Sequence, residues 1–301
     1  MLKKLLRSKD TVLIADAHQA TLARRIAATT GYRLVELERR KFADGEFELD
    51  VTSVQALKNV HAVIIHASSP SVHANFMWIL FVARALQLQQ ISMTLVMPYC
   101  AYARQKVAFE AIAALLQAAG ISSLITIALH EPSYIQHVAM PIEHITLDAW
   151  MAQIIKECYP QGQLTIIAPD EGGKHRAQAV AQMLQAPLVV CSKERYGCNE
   201  VSVKAMQGTC NTPYALIIDD MINTGSTLLN VAQMIHAQNK DCIIDAFAIH
   251  GVFSGDALQH IQQSALHKVF VTNTIKHDLH ILPDKIEVLD ISDVLATKLL
   301  A

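Results

Sequence analysis

Residues 214–227, YALIIDDMINTGST, decide the fold. Five mostly apolar residues, 214–218, run into two adjacent carboxylates, Asp219 and Asp220. A Thr-Gly-Ser-Thr turn follows, and an apolar-periodic run begins at Leu228. The order is strand, acidic edge, tight loop, helix, which is half of a parallel α/β unit. A loop that enters a helix N-terminus offers unpaired backbone N–H groups and the positive end of the helix dipole, and so suits a phosphate. Asp219 and Asp220 stand just ahead of that loop, where carboxylates suit sugar hydroxyls or a metal. The segment reads as a seat for a sugar that carries phosphate. It is not a Walker loop, because GxxxxGK[ST] is absent.

The same rhythm extends in both directions. Strands are expected at 11–15, 62–66, 92–97 and 123–129, with helices at 21–29, 74–86 and 108–119. Gly120 closes the last of these helices. The alternation restarts near Trp150, with strands at 164–168, 187–191, 214–218, 243–249, 269–272 and 286–289 and helices at 175–184 and 228–238. A chain of 301 residues suggests two domains at roughly 150 residues each. The expected division is 1–147 and 148–301, two similar α/β halves without a long linker or a low-complexity tract.

Composition narrows the function. Hydrophobic residues make up 52% and charged residues 17% of the chain, so the core is large and the charged surface thin. Burial in a homo-oligomer accounts for both. A net charge of −2 argues against a general nucleic-acid binder. No apolar run is long enough to span a bilayer, and the N-terminus lacks a signal peptide, so a cytoplasmic protein is expected. The six cysteines form no CxxC pair, which speaks against zinc and thioredoxin-type chemistry.

Four further segments carry polar groups at expected strand ends. Residues 168–184, APDEGGKHRAQAVAQML, repeat the acidic-edge logic: Asp170 ends a strand, and Gly172 and Gly173 allow close backbone approach. A plain helix cap is the alternative for Asp170. Lys193 and Arg195 follow another strand, as a cationic flap over a polyphosphate or as solvated charges. Arg104 and Gln105 lie in MPYCAYARQ, where an arginine beside tyrosines stacks on a base, grips a phosphate or packs on a ring. His130 ends a strand, as a metal ligand or as one structural histidine among fourteen. A fifth segment, FADGE at 42–46, sets Phe42, Asp44 and Glu46 around a turn glycine and alone is a β-turn.

Together these segments resemble the ribose-phosphate pyrophosphokinases, the phosphoribosyl pyrophosphate (PRPP) synthetases. IIDDMINTGST is similar to the family's DDMIDTGGT, PDEGGKHRA to PDAGGAKRA, and PYCAYARQ to PYFGYARQ. LHEPSYIQHV, IHGVFSG and VTNTI match further family segments, and the likeness runs from FADGE to VLDIS. The sugar-phosphate loop alone also fits ordinary phosphoribosyltransferases; FADGE, PYxxYARQ and the LH segment make the match specific.

The resemblance implies two type I phosphoribosyltransferase-like domains, each a mainly parallel sheet flanked by helices. It implies a transferase of nucleotide biosynthesis that moves the β,γ-diphosphoryl group of ATP to the anomeric hydroxyl of ribose 5-phosphate. The partners are then ATP and ribose 5-phosphate, with no nucleic acid and no membrane, and Mg²⁺ is the cofactor. By carry-over Asp219 and Asp220 hold ribose hydroxyls, and Asn223, Thr224, Gly225, Ser226 and Thr227 take the 5-phosphate. His130 and Asp170 help hold Mg²⁺, and Arg104 and Gln105 contact ATP. Phe42, Asp44 and Glu46 reach an ATP site from a neighbouring subunit of a homo-oligomer, and Lys193 and Arg195 are catalytic. Four departures accompany the match: Ala128 stands where the family usually has Asp, Lys106-Val107-Ala108 replaces a longer Asp-Arg-Lys loop, Asn223 replaces a common Asp, and Glu131 and Pro132 diverge after the LH histidine. A non-catalytic regulatory paralogue and a PRPP-consuming transferase are the alternative readings.

Overall fold

The computed structural model describes residues 11–196 and 200–301, with the side chains of residues 193–205 outside that description. The chain divides into two compact units. The first holds residues up to Ile145 together with Asn273–Lys276 and Asp290–Ala301. The second holds Thr146–Thr272 and His277–Leu289.

The first unit is built on β1 (Thr11–Asp16), β2 (Arg33–Leu37), β5 (His61–Ile65), β6 (Ser92–Met97), β7 (Ser123–Ile127) and β8 (Ile142–Ile145). The order across the sheet is β2-β1-β5-β6-β7-β8, and every pairing is parallel. A separate antiparallel hairpin, β3 (Arg39–Lys41) and β4 (Phe47–Leu49), lies between β2 and β5 in sequence. Every residue of β1, β5 and β7 is buried, as expected of parallel strands covered on both faces. The helices are α1 (Thr21–Thr30), the short α2 (Thr52–Gln55), α3 (Val72–Leu88) and α4 (Lys106–Ala118). Helix α3 buries Phe76, Trp78, Ile79, Val82 and Leu86 at helical spacing, with Trp78 and Ile79 fully enclosed.

The second unit has β9 (Leu164–Ala168), β10 (Leu188–Tyr196), β11 (Glu200–Gln207), β12 (Tyr214–Ile222), β13 (Ile243–Gly251), β14 (Val269–Thr272) and β15 (Ile286–Leu289). Their order is β11-β10-β9-β12-β13-β14-β15. All neighbours are parallel except β10 and β11. Its helices are α5 (Asp148–Cys158), α6 (Lys174–Leu184), α7 (Ser226–Gln238) and α8 (Ala257–Gln263). Ile217, Val231, Ile235, Ile244, Val269 and Val271 form its core.

Two features differ from the sequence expectation. The strand expected to stop at residue 191 runs on to Tyr196 and returns as β11, with a register shift between Ser192 and Lys193. The backbone of the basic stretch thus forms one arm of a hairpin. The second is the expected division at 147/148. The last helix, α9 (Ser292–Leu300), packs on α1 and belongs to the first unit. Its cause is an apolar face, Leu295, Ala296 and Leu299, which is fully buried. Arg25 pairs with Asp290, and Lys298 with Glu143. No helix among the described residues is long and apolar enough to cross a membrane.

Leu295→Ala is expected to destabilise the protein by about 2–5 kcal/mol, the usual cost of emptying a buried leucine site. Hydrogen exchange at the amides of α1 will rise with it. Unchanged exchange in α1 would separate α9 from the first unit.

Candidate active site

In each sheet the chain adds strands first on one side of a starting strand and then on the other. The reversal lies between β1 and β5 in the first unit and between β9 and β12 in the second. The loops leaving such a pair diverge and open a crevice at the carboxyl ends of the strands, where open α/β sheets take their ligands.

In the second unit that crevice is acidic. Strand β9 ends at Ala168 and leads through Pro169 to Asp170. Its partner β12 carries Asp219 and Asp220 near its own end. Asp170 Oδ1 accepts the N–H of Gly173 at 2.8 Å, closing the turn into α6. A β-carbon added at Gly173 would lie 3.7 Å from Asp219 Oδ1 and 3.7 Å from Asp170 Oδ1, so both carboxylates border that one glycine. Asp219 Oδ1 also accepts the N–H of Asp220 at 2.8 Å. Burial, and then the charges of Asp220 and Asp170, hold the Asp219 carboxyl well above its ordinary pKa. On the far side of Asp170, burial and then the Asp170 charge push the Cys191 thiol up to about 11.

The loop after β12 turns at Gly225, the N-cap of α7, whose φ of 77° is left-handed and suits glycine. No side chain caps this helix start. Thr224 Oγ1 and Ser226 Oγ lie 3.2 Å apart, both on exposed residues. Asn223 and Thr227 are partly buried. Carboxylates and a helix N-terminus thus follow one another within nine residues, 219–227, at the switch point. The backbone of Lys193 stands opposite Val203, and that of Arg195 opposite Val201, in the β10–β11 arm. The side chains of Lys193 and Arg195 lie outside the described residues.

The other sequence candidates belong to the first unit. Arg104 and Gln105 are exposed in the loop between β6 and α4, and Gln105 is the N-cap position of α4. His130 is exposed just beyond β7, which pairs with β6, so these two loops leave neighbouring strand ends. Phe42, Asp44 and Glu46 are all exposed at the tip of the β3–β4 hairpin. There Asp44 Oδ1 accepts the N–H of Glu46 at 3.1 Å, and Phe42 N–H donates to Glu46 O at 2.8 Å. The proposed metal pair, His130 and Asp170, is divided between the two units. Among the described residues no three His, Cys, Asp or Glu side chains form a ready metal cage.

Models of known families match two stretches of the chain. Residues 11–128 match the N-terminal domain of ribose phosphate pyrophosphokinase, and residues 199–300 match the phosphoribosyl synthetase-associated domain. Ribose-phosphate pyrophosphokinase 1 of Streptococcus pyogenes serotype M1 is 30% identical over 299 residues, covering 95% of this chain and 92% of the relative. The chain belongs to the ribose-phosphate pyrophosphokinase family. Ribose-phosphate pyrophosphokinase A of Dictyostelium discoideum is also 30% identical, over 88% of this chain and 86% of its own. The crystal structure of phosphoribosylpyrophosphate synthetase from Mycobacterium smegmatis matches with a TM-score of 0.87 at 22% identity, covering 97% of this chain and 98% of the other. That likeness fixes the fold as phosphoribosyltransferase-like.

Within this family frame, two features of the first unit stand out. Ala128, at the end of β7, is buried and left-handed with φ 44°, and its N–H donates to Ile145 O at 2.9 Å. No carboxylate is available there. The other is a charged cluster at the β1–β5 switch point, which the sequence reading did not single out. Asp16 is fully buried, with Arg39 Nε 3.1 Å and His66 Nε2 3.5 Å from its Oδ2. Burial pushes the Asp16 carboxyl up, but the nearby His66 imidazole, the N–H of His18 and the charge of Arg39 outweigh it and bring it below its ordinary pKa. The signal was present in the sequence: TVLIAD ends an apolar run in a carboxylate, as 214–219 does.

Asp219 holds its proton more tightly folded than unfolded. Its contribution to stability is therefore full below the ordinary value of 3.8 and is lost as pH rises through the folded value. Asp219→Asn keeps an acceptor for Asp220 N–H and removes the charge. The ligand-free variant is expected to melt higher than wild type at neutral pH, by a margin that shrinks as the pH falls toward 3.8. A variant that melts lower at neutral pH would contradict the repulsion.

Proposed function

We propose that the protein is a ribose-phosphate diphosphokinase: it transfers the β,γ-diphosphoryl group of ATP to the anomeric hydroxyl of ribose 5-phosphate, giving PRPP and AMP. The observation that carries this reading is the meeting of Asp170, Asp219 and the α7 start at one switch point. A pentose phosphate has hydroxyls at one end and a dianion at the other. The carboxylates accept hydrogen bonds from the hydroxyls, and the helix start donates to the phosphate.

In this reading Asp219 and Asp220 hold the ribose hydroxyls, and Asn223, Thr224, Gly225, Ser226 and Thr227 take the 5-phosphate. An amide at Asn223 repels the phosphate less than a carboxylate does. The anomeric oxygen is then fixed beside the triphosphate, and the new bond to the β-phosphorus forms as the bond to the AMP oxygen breaks. Charge gathers on the phosphoryl oxygens, so orientation and cationic stabilisation are the main levers. Lys193 and Arg195 supply fixed positive charge to those oxygens. Arg104 and Gln105 contact ATP, and Phe42, Asp44 and Glu46 reach ATP from a neighbouring subunit of a homo-oligomer.

The residues fit Mg²⁺. This ion binds oxygen and usually takes one or two carboxylates beside substrate phosphates and water, so a complete protein cage is not required. The raised proton affinity of Asp219 marks a cluster of carboxylates in which added positive charge is favourable. His130 and Asp170 are the residues proposed to help hold the ion, which neutralises phosphate charge when bound.

One observation favours a second reading, a non-catalytic regulatory paralogue: Ala128 leaves one strand end without a carboxylate. A single assay separates the readings. Protein, Mg²⁺, ATP and ribose 5-phosphate are combined, and AMP and PRPP are measured. Equal formation of both supports the diphosphokinase. Binding of ATP without turnover selects the paralogue, and base-dependent consumption of PRPP selects a transferase. In the active protein Lys193→Ala lowers turnover about 100-fold, as loss of one preorganised charge contact does. Unchanged turnover would remove Lys193 from the mechanism.

A further inference from the structure

Beside the sugar-phosphate loop lies a segment whose conformation the loop itself does not require. Residues 251–255, GVFSG, leave the end of β13 and cross the end of β12. The N–H groups of Val252 and Phe253 both donate to the carbonyl of Ile222, at 2.9 and 3.0 Å. The N–H of Ser254 donates to the carbonyl of Asn223 at 2.9 Å. Three donors thus hold the last residue of β12 and the first residue of the loop.

The path that aims these donors is strained. Phe253 has φ 49°, a left-handed conformation that a bulky residue keeps only where its surroundings over-determine it. Here they do. The ring packs against the core cluster that contains Ile222 and Leu228. It lies 5.3 Å from the His277 ring, tilted by 50°. It also covers Gly251, where a β-carbon would fall 2.6 Å from Phe253 Cε2, 2.9 Å from Cζ and 3.2 Å from His277 Nε2. That Nε2 is buried without a hydrogen-bond partner, and burial holds the imidazole below its ordinary pKa.

We infer that Phe253, packed against Gly251 and His277, is a positioning residue for the sugar-phosphate loop. By fixing residues 251–254 it fixes Ile222 and Asn223, and so the span from Asp219 and Asp220 to the start of α7. A pentose phosphate must match that span at both ends, and small misplacements of such a site are costly. The inference rests on the reading of this loop as the ribose 5-phosphate site.

The test uses the full-length protein and titrates ribose 5-phosphate and Mg-ATP separately by calorimetry. Phe253→Ala is expected to weaken ribose 5-phosphate at least 10-fold and to change Mg-ATP by less than about 2-fold, a split that general loss of structure would not give. Phe253→Gly will lose less than Phe253→Ala, because glycine adopts positive φ without strain. Gly251→Ala will weaken the sugar phosphate too, and adding Phe253→Gly to it will recover part of the loss, since the ring that clashes is gone. If Gly251→Ala does not fold, the Ala-versus-Gly comparison at 253 decides alone. Phe253→Ala that binds ribose 5-phosphate like wild type, or that loses both ligands equally, overturns the inference. Folded wild type that does not bind ribose 5-phosphate overturns the proposed function instead. Hydrogen exchange at residues 223–227 then decides the positioning role: faster exchange in Phe253→Ala supports it, and unchanged exchange ends it.

Discussion

The parallel pairing of β9 with β12 is the constraint on which the second unit's chemistry depends. Each strand has a carboxylate near its carboxyl end, and parallel neighbours end on the same side. Asp170 and Asp219 are therefore brought together by backbone hydrogen bonds that neither side chain makes. Asp219 is pushed above its ordinary pKa as a result. The corresponding junction of the first unit, β1 beside β5, ends in Asp16 and His66 with Arg39 alongside, and there the carboxylate is drawn below its ordinary pKa. One topology thus yields two electrostatic outcomes. Anionic neighbours leave a crevice that gains from a cation or a hydrogen-bond donor, whereas the Arg39 guanidinium and the His18 N–H favour the charged carboxylate of Asp16. Stability given up at one edge is characteristic of a site kept for ligand.

Backbone strain marks several loops that leave strand ends. Tyr102, Ala128 and Phe253 are non-glycine residues with positive φ, and they follow β6, β7 and β13 respectively. Such conformations cluster where a loop must aim groups at a ligand and the core over-determines its path. Phe253 is the best supported of the three, because its ring, the missing Cβ of Gly251 and three backbone donors all bear on one loop. The loop at Gly225 needs no such support within itself, since glycine takes its left-handed turn freely.

Much of the fold was legible because buried parallel strands read as short apolar runs. Residues 92–97, 164–168, 269–272 and 286–289 were bounded correctly to the residue. The strands that escaped were edge or hairpin strands. β2 mixes Arg33 and Glu36 with Leu34 and Val35 and is only partly buried, and β11 pairs on one side alone. The FADGE turn was legible, but the flanking β3 is wholly basic and β4 is only three residues long. Helix α9 was missed as a partner of the first unit because its contact with α1 spans most of the chain, and no local pattern encodes that. The acidic ends and the loop at 223–227 were visible because their polar groups are consecutive in sequence. The Asp16–His66–Arg39 cluster was not, because its three members come from three separate elements.

The central claim is that one sheet edge, from Asp219 to Thr227, holds a pentose phosphate by both of its ends. A crystal structure of the protein with ribose 5-phosphate tests this most directly. The account predicts the phosphate against the backbone N–H groups of residues 225–227 and the ribose hydroxyls on Asp219 and Asp220. A sugar phosphate bound elsewhere, with both carboxylates facing only protein and solvent, would contradict it.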